Sequence, residues 1–532
     1  MSPQLYSTLN KAWKTTCRVV LGGEVGELKD YEEWLGEYLP PVGRVKSHVS
    51  GRDVTVANPR YCDGARFISM DEITGRKTEP LSINDIKDMD SLVRAVSERW
   101  EYTGNRVQGN SSMVESSDIV MDSQNVYNST TITDSAYVDS SFMMRTGSKY
   151  SFGAGYAGKS EFAIRLFAGF NDSRVLDSSL LADCSDIYYS HNMLGCHDMM
   201  FSFSQRHKRC CIGNIELPKD RYVALKSKLL AEMRDDLVAR KKLPSLMEMV
   251  REKKGGGSLS LEAVDEKAEM EPIEKAFSST FRVLLGGETK GVGRYEKWLL
   301  KSIPSVKETQ SPFGRRTLLP DDEALAYFSM LPPGRTVSFR EAMALGGRRM
   351  DEKFLGSLDR IRDGLGEIAF FTAEMADGEI RNAIESPLVF NASNVYRIYD
   401  ATFCEYAGLG SMSLNSKYTF GCYRIVESEF CLKCYNSAHL SRCLEMDSSS
   451  NCTGSMFCHN SEGLMDSMFC YNAKGKRHAI GNMELEQGKY KGIRNSLIGQ
   501  IAGELEKSGD IPWSIFGISG KKSKLHYSEY MR

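Results

Sequence analysis

The clearest pattern of polar and apolar positions in this chain lies in residues 111–144. Written in sixes it reads SSMVES, SDIVMD, SQNVYN, STTITD, SAYVDS, SFMM. Ser111, Ser117, Ser123, Ser129, Ser135 and Ser141 recur every six residues, and so do Val114, Val120, Val126, Ile132, Val138 and Met144. A helix returns to one face at three or four residues and a lone strand at two, so a six-residue repeat belongs to neither by itself. It predicts a coil of short strands separated by tight corners, with a small polar residue at each corner and an apolar residue pointing inward from each strand. The expected element is a parallel β-helix. The period resumes after an insertion, with Val175, Leu181, Ile187, Met193 and Met199 on one inward side. Asp172, Ser178, Cys184, Ser190, Cys196 and Ser202 form the tight side, and Arg174, Asp186, Asn192 and Asp198 are expected to face water.

The chain is written twice. TCRVVLGGE from Thr16 is matched by TFRVLLGGE from Thr280, and YEEWL from Tyr31 by YEKWL from Tyr295. SKYSFG from Ser148 and SKYTFG from Ser416 lie 268 apart, as do RCCIGNIEL from Arg209 and RHAIGNMEL from Arg477. Each copy is expected to open with a strand, RV[VL]L, that ends in a Gly-Gly turn and leads into a short YE[EK]WL helix. Charged helical stretches follow near 85–100 and 352–379. Then comes the hexad region, IGN[IM]EL, and an amphipathic helix that caps the open end of the coil.

In copy two apolar bulk moves to the other inward side. Leu440, Met446, Cys452, Cys458, Leu464 and Cys470 replace the small residues, and Cys443, Ser449, Ser455, Ser461 and Ser467 replace the large ones. Such a swap conserves core volume. Three hexads to a coil would give eighteen residues per turn and stack Cys434, Cys452 and Cys470 in a ladder.

The fold class expected is mainly β with flanking helices: two tandem parallel β-helix (solenoid) modules from an internal duplication. Residues 1–108 form an α/β segment, 109–217 the first solenoid, 218–250 its capping helix and 251–272 a flexible Gly/Ser/charge-rich linker. Residues 273–390 repeat the α/β segment, 391–485 the solenoid, and 486–532 the capping helix and tail.

Composition narrows the function classes. Among 532 residues, 41 % are hydrophobic and 26 % charged, with a formal net charge of -2, so no global field draws nucleic acid or acidic lipid. No apolar run is long enough to span a bilayer, and MSPQLYSTLNKAWKTTCRVV places charges where a secretory core would lie. A cytoplasmic setting and reduced thiols are therefore expected for the fourteen cysteines.

The small residue of hexapeptide acyltransferases precedes the aliphatic one by two places, whereas Ser117 precedes Val120 by three. The chain thus resembles that family in period only. Through NVYNST, FCYNAKGKRHAIGN and the helix that follows, it is similar to uncharacterised hexad-repeat β-solenoid proteins of uncultured archaea and bacteria. That resemblance implies an architecture and no activity.

Chemistry has few candidates. Cys184, His191, Asn192 and Asp198 recur as Cys452, His459, Asn460 and Asp466, the types of a nucleophile, its base and an orienting group. Seven residues separate cysteine from histidine, which puts the thiol inward and the imidazole at an outer corner. His191, Cys196 and His197, with Cys452, Cys458 and His459, offer metal-ligand types without paired C-x-x-C spacing. No cofactor is implied. Arg206, Lys208, Arg209, Lys474, Lys476 and Arg477 are a basic cluster at each solenoid end, a polyanion contact that is not favoured over a solvated face. The favoured reading is a non-enzymatic structural or interaction protein that self-associates or binds another protein. The rivals are a transferase with a site between the modules and a metal-binding protein. A deep cleft holding His191 and His459 would indicate the enzyme, and a flat polar face the scaffold.

Overall fold

The structure is a computed structural model and describes residues 1–40, 42–57, 60–76, 81, 86–251, 258–261, 268–321 and 325–519. The molecule is mixed α/β. Among the described residues one predominantly parallel sheet has seventeen strands, from Val107–Gln108 to Ile215–Glu216, and another has ten, from Met375–Asp377 to Ser441–Leu444. Most strands are four residues long, and each pairs in parallel with the strand one repeat beyond its neighbour in sequence. Gln124 lies opposite Ala136, Val126 opposite Val138, and Val175 opposite Ile187. Past Leu444 the second ladder continues as isolated parallel bridges at the same spacing, from Ser441 with Thr453 to Met468 with Ile480.

The pairing interval is twelve residues, two hexads, rather than eighteen. Cys434, Cys452 and Cys470 therefore form no ladder. Cys431 stacks on Cys443 instead, and the Cys434 amide reaches Cys422 Sγ at 3.5 Å. Besides the sheet starts, where Val107 meets Val120 and Met375 meets Leu388, the interval becomes thirteen where Ala136 meets Lys149 and Phe142 meets Gly155. The extra residue is Gly147, at φ 85°, and the same lattice runs on from Ser148.

Both lattice places are buried. Val120, Val126, Ile132, Val138 and Met144 are at most 1 % exposed, and Ser117, Ser123, Ser129, Ser135 and Ser141 at most 4 %. The serines serve the backbone. Ser123 Oγ donates to Met121 O (2.7 Å) and accepts from Ser135 N (3.0 Å). Ser129 does the same with Tyr127 O and Ser141 N. At a corner the chain leaves the ladder, so a short side chain must satisfy the buried N–H of the next turn. Asp172 accepts from Cys184 N, and Cys458 Sγ from Cys470 N, in the same way. The backbone visits positive φ every third residue, as at Asp122, Asn125, Asn128, Thr131 and Asp134. Asn and Asp tolerate that region best among residues with a Cβ.

The RV[VL]L segments are not strands. They end long helices, Pro3–Leu21 and Glu271–Leu285, each closed by a left-handed glycine, Gly22 or Gly286. Buried Leu5, Leu9, Ala12, Trp13, Thr16, Cys17, Val20 and Leu21 lie at three and four spacing, a helical face that extends well before the four-residue apolar run. The YE[EK]WL segments are helical, in Glu32–Gly36 and Val292–Leu300. Of the stretch 85–100, Met89–Ser97 is helix, and residue 85 lies outside the described residues. The stretch 352–379 is broken into Glu352–Phe354, Leu358–Gly364, Leu365–Glu367 and a strand, Met375–Asp377. Helices Lys219–Arg240 and Gln487–Ser508 follow the sheets. The first lies on the Arg209–Ile212 strand and on Pro3–Leu21, the second on Glu271–Leu285. Within the linker, residues 252–257 and 262–267 lie outside the described residues, while Leu261 O accepts from the Arg315 guanidinium.

Three apolar clusters are built mainly from sheet residues: one around Val126 and Ile187, one around Ile425 and Cys443, and a smaller one around Val395. A much larger one joins the helices of both copies to residues of both sheets. No helix among the described residues is long and apolar enough to cross a membrane.

Candidate functional site

Tyr61 and Thr103 of copy one reach the sheet of copy two, and Tyr327, Gly346 and Thr372 of copy two reach the sheet of copy one. Each crossing ends on a histidine. Thr103 N donates to His459 Nε2 (2.9 Å), and Thr372 N donates to His191 Nε2 (2.9 Å). The other ring nitrogen meets the residue one turn earlier: His459 Nδ1 lies 2.9 Å from Asp447 Oδ2, and His191 Nδ1 lies 2.7 Å from Ser179 Oγ. A tyrosine from the crossing segment completes each site. Tyr61 donates to Asp447 Oδ2 (2.7 Å), and Tyr327 to Ser179 Oγ (2.6 Å).

Both histidines are 0 % exposed. This overturns their placement at outer corners. They occupy the first strand position on a face that the crossing segments cover, where Phe371 packs edge-on to His191, and Tyr102 and Tyr61 to His459. Nε2 faces a backbone N–H in each site, which fits a neutral ring, and at His191 the same nitrogen also lies 3.1 Å from Thr372 O. Burial holds the His191 imidazole down to about 3. Burial also lowers His459, against the opposing pull of Asp447.

The two sites differ in charge. Arg106, 2 % exposed, pairs with Asp118 (2.5 Å) and donates to Ser448 Oγ beside Asp447. Burial alone would raise the Asp447 carboxyl, but His459, Arg106 and Tyr61 hold it below its ordinary range. In the other half the matching positions hold Ser179 for Asp447 and Met375 for Arg106. Cation and anion are exchanged together for a neutral pair, as desolvation requires.

A second matched pair fixes each copy's own ends. Arg165 bonds Asp177 (2.8 Å) and Trp34 O, with Leu246 N on Asp177 Oδ1. Lys433 donates to Trp298 O (2.8 Å) and lies 3.9 Å from Glu445, which accepts from Ile515 N (2.6 Å).

The proposed catalytic sets are not brought together. Cys184 Sγ turns inward to Ala182 O, and His191 turns outward to Thr372. Burial pushes the Cys184 thiol far up and that of Cys452 to about 11, so neither is a thiolate nucleophile at neutral pH. Asn192 does not face water. It is fully buried, with Ser204 and Arg206 as partners. Asn460 bonds Asn472, Asp198 bonds Lys226, and Asp466 is half-exposed at a left-handed position. Around His191, Cys196 and His197, or Cys452, Cys458 and His459, no group of three His, Cys, Asp or Glu converges, nor elsewhere among the described residues. All fourteen cysteines are free, thirteen of them buried. In the basic clusters Arg206 bonds Asn192 O, Lys208 pairs with Glu216, Lys474 with Glu462 and Lys476 with Glu484, while Arg209 and Arg477 lie beside them.

A polar cleft of about 690 Å³ opens beside the His459 crossing, lined by Asn105, Gln108, Glu115, Asn460, Asn472 and Lys474 among others. His459 itself does not line it. The residues that sequence reasoning missed are Thr103, Thr372, Tyr61, Tyr327, Arg106, Asp118, Asp447 and Ser179. Their one signal was position: Thr103 and Thr372 stand at nearly the offset that relates the histidines, and Ser179 and Asp447 stand one turn before them. No family model matches the chain, and no curated protein or solved structure matches it either.

Proposed function

We propose that this chain is a non-enzymatic structural or interaction protein. Its two parallel sheets are read as β-solenoid modules of two strands and twelve residues per coil, produced by duplication and locked by reciprocal exchange of their α/β segments. The twelve-residue register and the burial of both lattice places support this architecture. The observation that carries the functional reading is the fate of the paired histidines. Both are consumed in hydrogen bonds to the backbone of the other copy, buried and neutral, so the residues best suited to chemistry act as docking bolts. The partner is a second copy of the chain or another protein, met on the sheet faces left open, and the free thiols suit a reducing, cytoplasmic setting.

A second reading, a transferase with its site between the copies, is favoured by the polar cleft, which both copies line. Native mass spectrometry of the purified chain, alone and with acyl- and phosphoryl-group donors, separates the two. The scaffold reading expects self-associated or partner-bound species, no retained donor and no turnover. Saturable retention of a donor with product formation, lost when Asn105 and Asn472 are both replaced by Ala, would overturn it.

A further inference from the structure

A second groove between the copies, of about 340 Å³, lies away from both histidine crossings. Ile119 and Met143 of copy one and Met412, Leu414, Val426 and Ala438 of copy two give it an apolar floor. Two guanidinium groups line it, and among the described residues neither forms an ion pair, although the charge of Arg145 acts on the Asp400 carboxyl. Arg424 is 9 % exposed, and its Nε has no acceptor. Its other contacts are Thr131 Oγ1 at 3.5 Å and the Tyr423 ring at 4.8 Å. Arg145 lies 5.5 Å over the Tyr156 ring. The buried acid nearest in effect, Asp400, takes the Thr402 hydroxyl (2.7 Å) and forms no ion pair with Arg145. The third arginine, Arg106, is neutralised by Asp118. At the rim Asp134 is exposed, and His439 is paired with Glu427.

A buried guanidinium without an ion-pair partner is costly, and an apolar floor beside it leaves hydrophobic area unused. One ligand chemistry answers both: an anionic head on an unbranched apolar chain. The volume lies at the small end of ligand pockets, which run from about 300 to 1,000 Å³, and so admits one medium-length chain and excludes a two-chain lipid. Flexible methionines fit a chain of variable path. We propose that this groove binds a single-chain amphiphile with a carboxylate or phosphate head, the head on Arg424 and Arg145 and the chain between the two sheets. The proposal does not rest on the scaffold reading.

Calorimetry and thermal shift with decanoate, decyl phosphate, decanol and decyltrimethylammonium, all below micelle-forming concentration, test it. Decanoate or decyl phosphate should bind saturably at one site and raise the melting temperature, with decanol at least tenfold weaker and the cation unbound. Arg424→Met should weaken the anion at least tenfold with unchanged circular dichroism. Met412→Trp, which fills the groove, should abolish binding of anion and alcohol alike. Should Arg424→Met fail to fold, Arg145→Met is held to the same tenfold criterion. Equal binding of decanol and decanoate, binding unchanged by the arginine or tryptophan variants, or association only with anionic vesicles would each overturn the proposal.

Discussion

At the scale of single residues, the buried titratable groups separate docking from solvation. Removing His459 leaves Thr103 N without its acceptor and takes one donor from Asp447, so His459→Ala should cost about 2 to 4 kcal/mol in urea unfolding. His191→Ala should cost a similar amount through Thr372 N. Gln, which restores an acceptor, should recover part of each loss. Unchanged midpoints would put the rings back at the surface. Asp139 adds a pH signature. It is fully buried, one oxygen has no partner, and burial pushes its carboxyl up to about 7. A carboxyl raised above its unfolded value of about 3.9 lends stability that is complete below that value and lost as pH rises towards 7. The linkage amounts to roughly 4 kcal/mol. Asp139→Asn should therefore gain on the parent by a few kcal/mol between pH 4 and 7. His191 runs the other way: its depressed value removes stability as pH falls from about 6.5 towards 3, so His191→Gln should close on the parent in acid. A parent-minus-variant difference that stays flat with pH, in either case, would contradict the assigned burial.

Elements show how far the pattern could be read. The six-residue lattice was legible because each place has one physical role. Val126 and Ile132 fill the interior, while Ser123 and Ser129 hold corner amides. The asparagines and aspartates at every third place, such as Asn125 and Asn128, answer to positive φ. The number of hexads per pairing interval was not legible, because twelve and eighteen both preserve a six-residue pattern and only the register distinguishes them. The opening helices are hidden in RV[VL]L because four residues carry no helical period; the apolar positions back to Leu5 do. The corner role gives a graded prediction. Ser129→Ala strands Ser141 N, takes one of two donors from Tyr127 O and should cost about 1 to 3 kcal/mol, whereas Ser129→Cys, the solution used at Cys458, should cost less. Equal losses in thermal melts would mean that volume, not hydrogen bonding, selects the corner residue.

On the scale of the whole molecule, the crossing makes each copy incomplete. The sheet of copy one receives Thr372, Tyr327, Gly346 and Met350 from copy two, and the sheet of copy two receives Thr103 and Tyr61 from copy one. No local motif announces such an exchange; the histidines were legible as a repeated pair and their partners were not, because those partners lie far off in sequence. Cutting the chain within residues 252–257 should therefore leave the halves associated through size-exclusion chromatography. A half expressed alone has an uncovered sheet face and a segment that fits the equivalent face of a second copy. It should form a reciprocal homodimer, as exchanged segments do. The homodimers carry a mismatch, however. Copy one alone sets Arg106 against Ser179, and copy two alone leaves Asp447 buried beside Met375 without the arginine. Arg106 keeps its Asp118 partner in either case, so the uncompensated buried charge is Asp447, and it disfavours the copy-two homodimer against the mixed pair. Mixed halves should redistribute into the heterodimer by native mass spectrometry, and Asp447→Ser should flatten that preference towards a statistical mixture. Halves that stay monomeric and folded by circular dichroism would show that the crossing contacts are dispensable and that each copy stands alone.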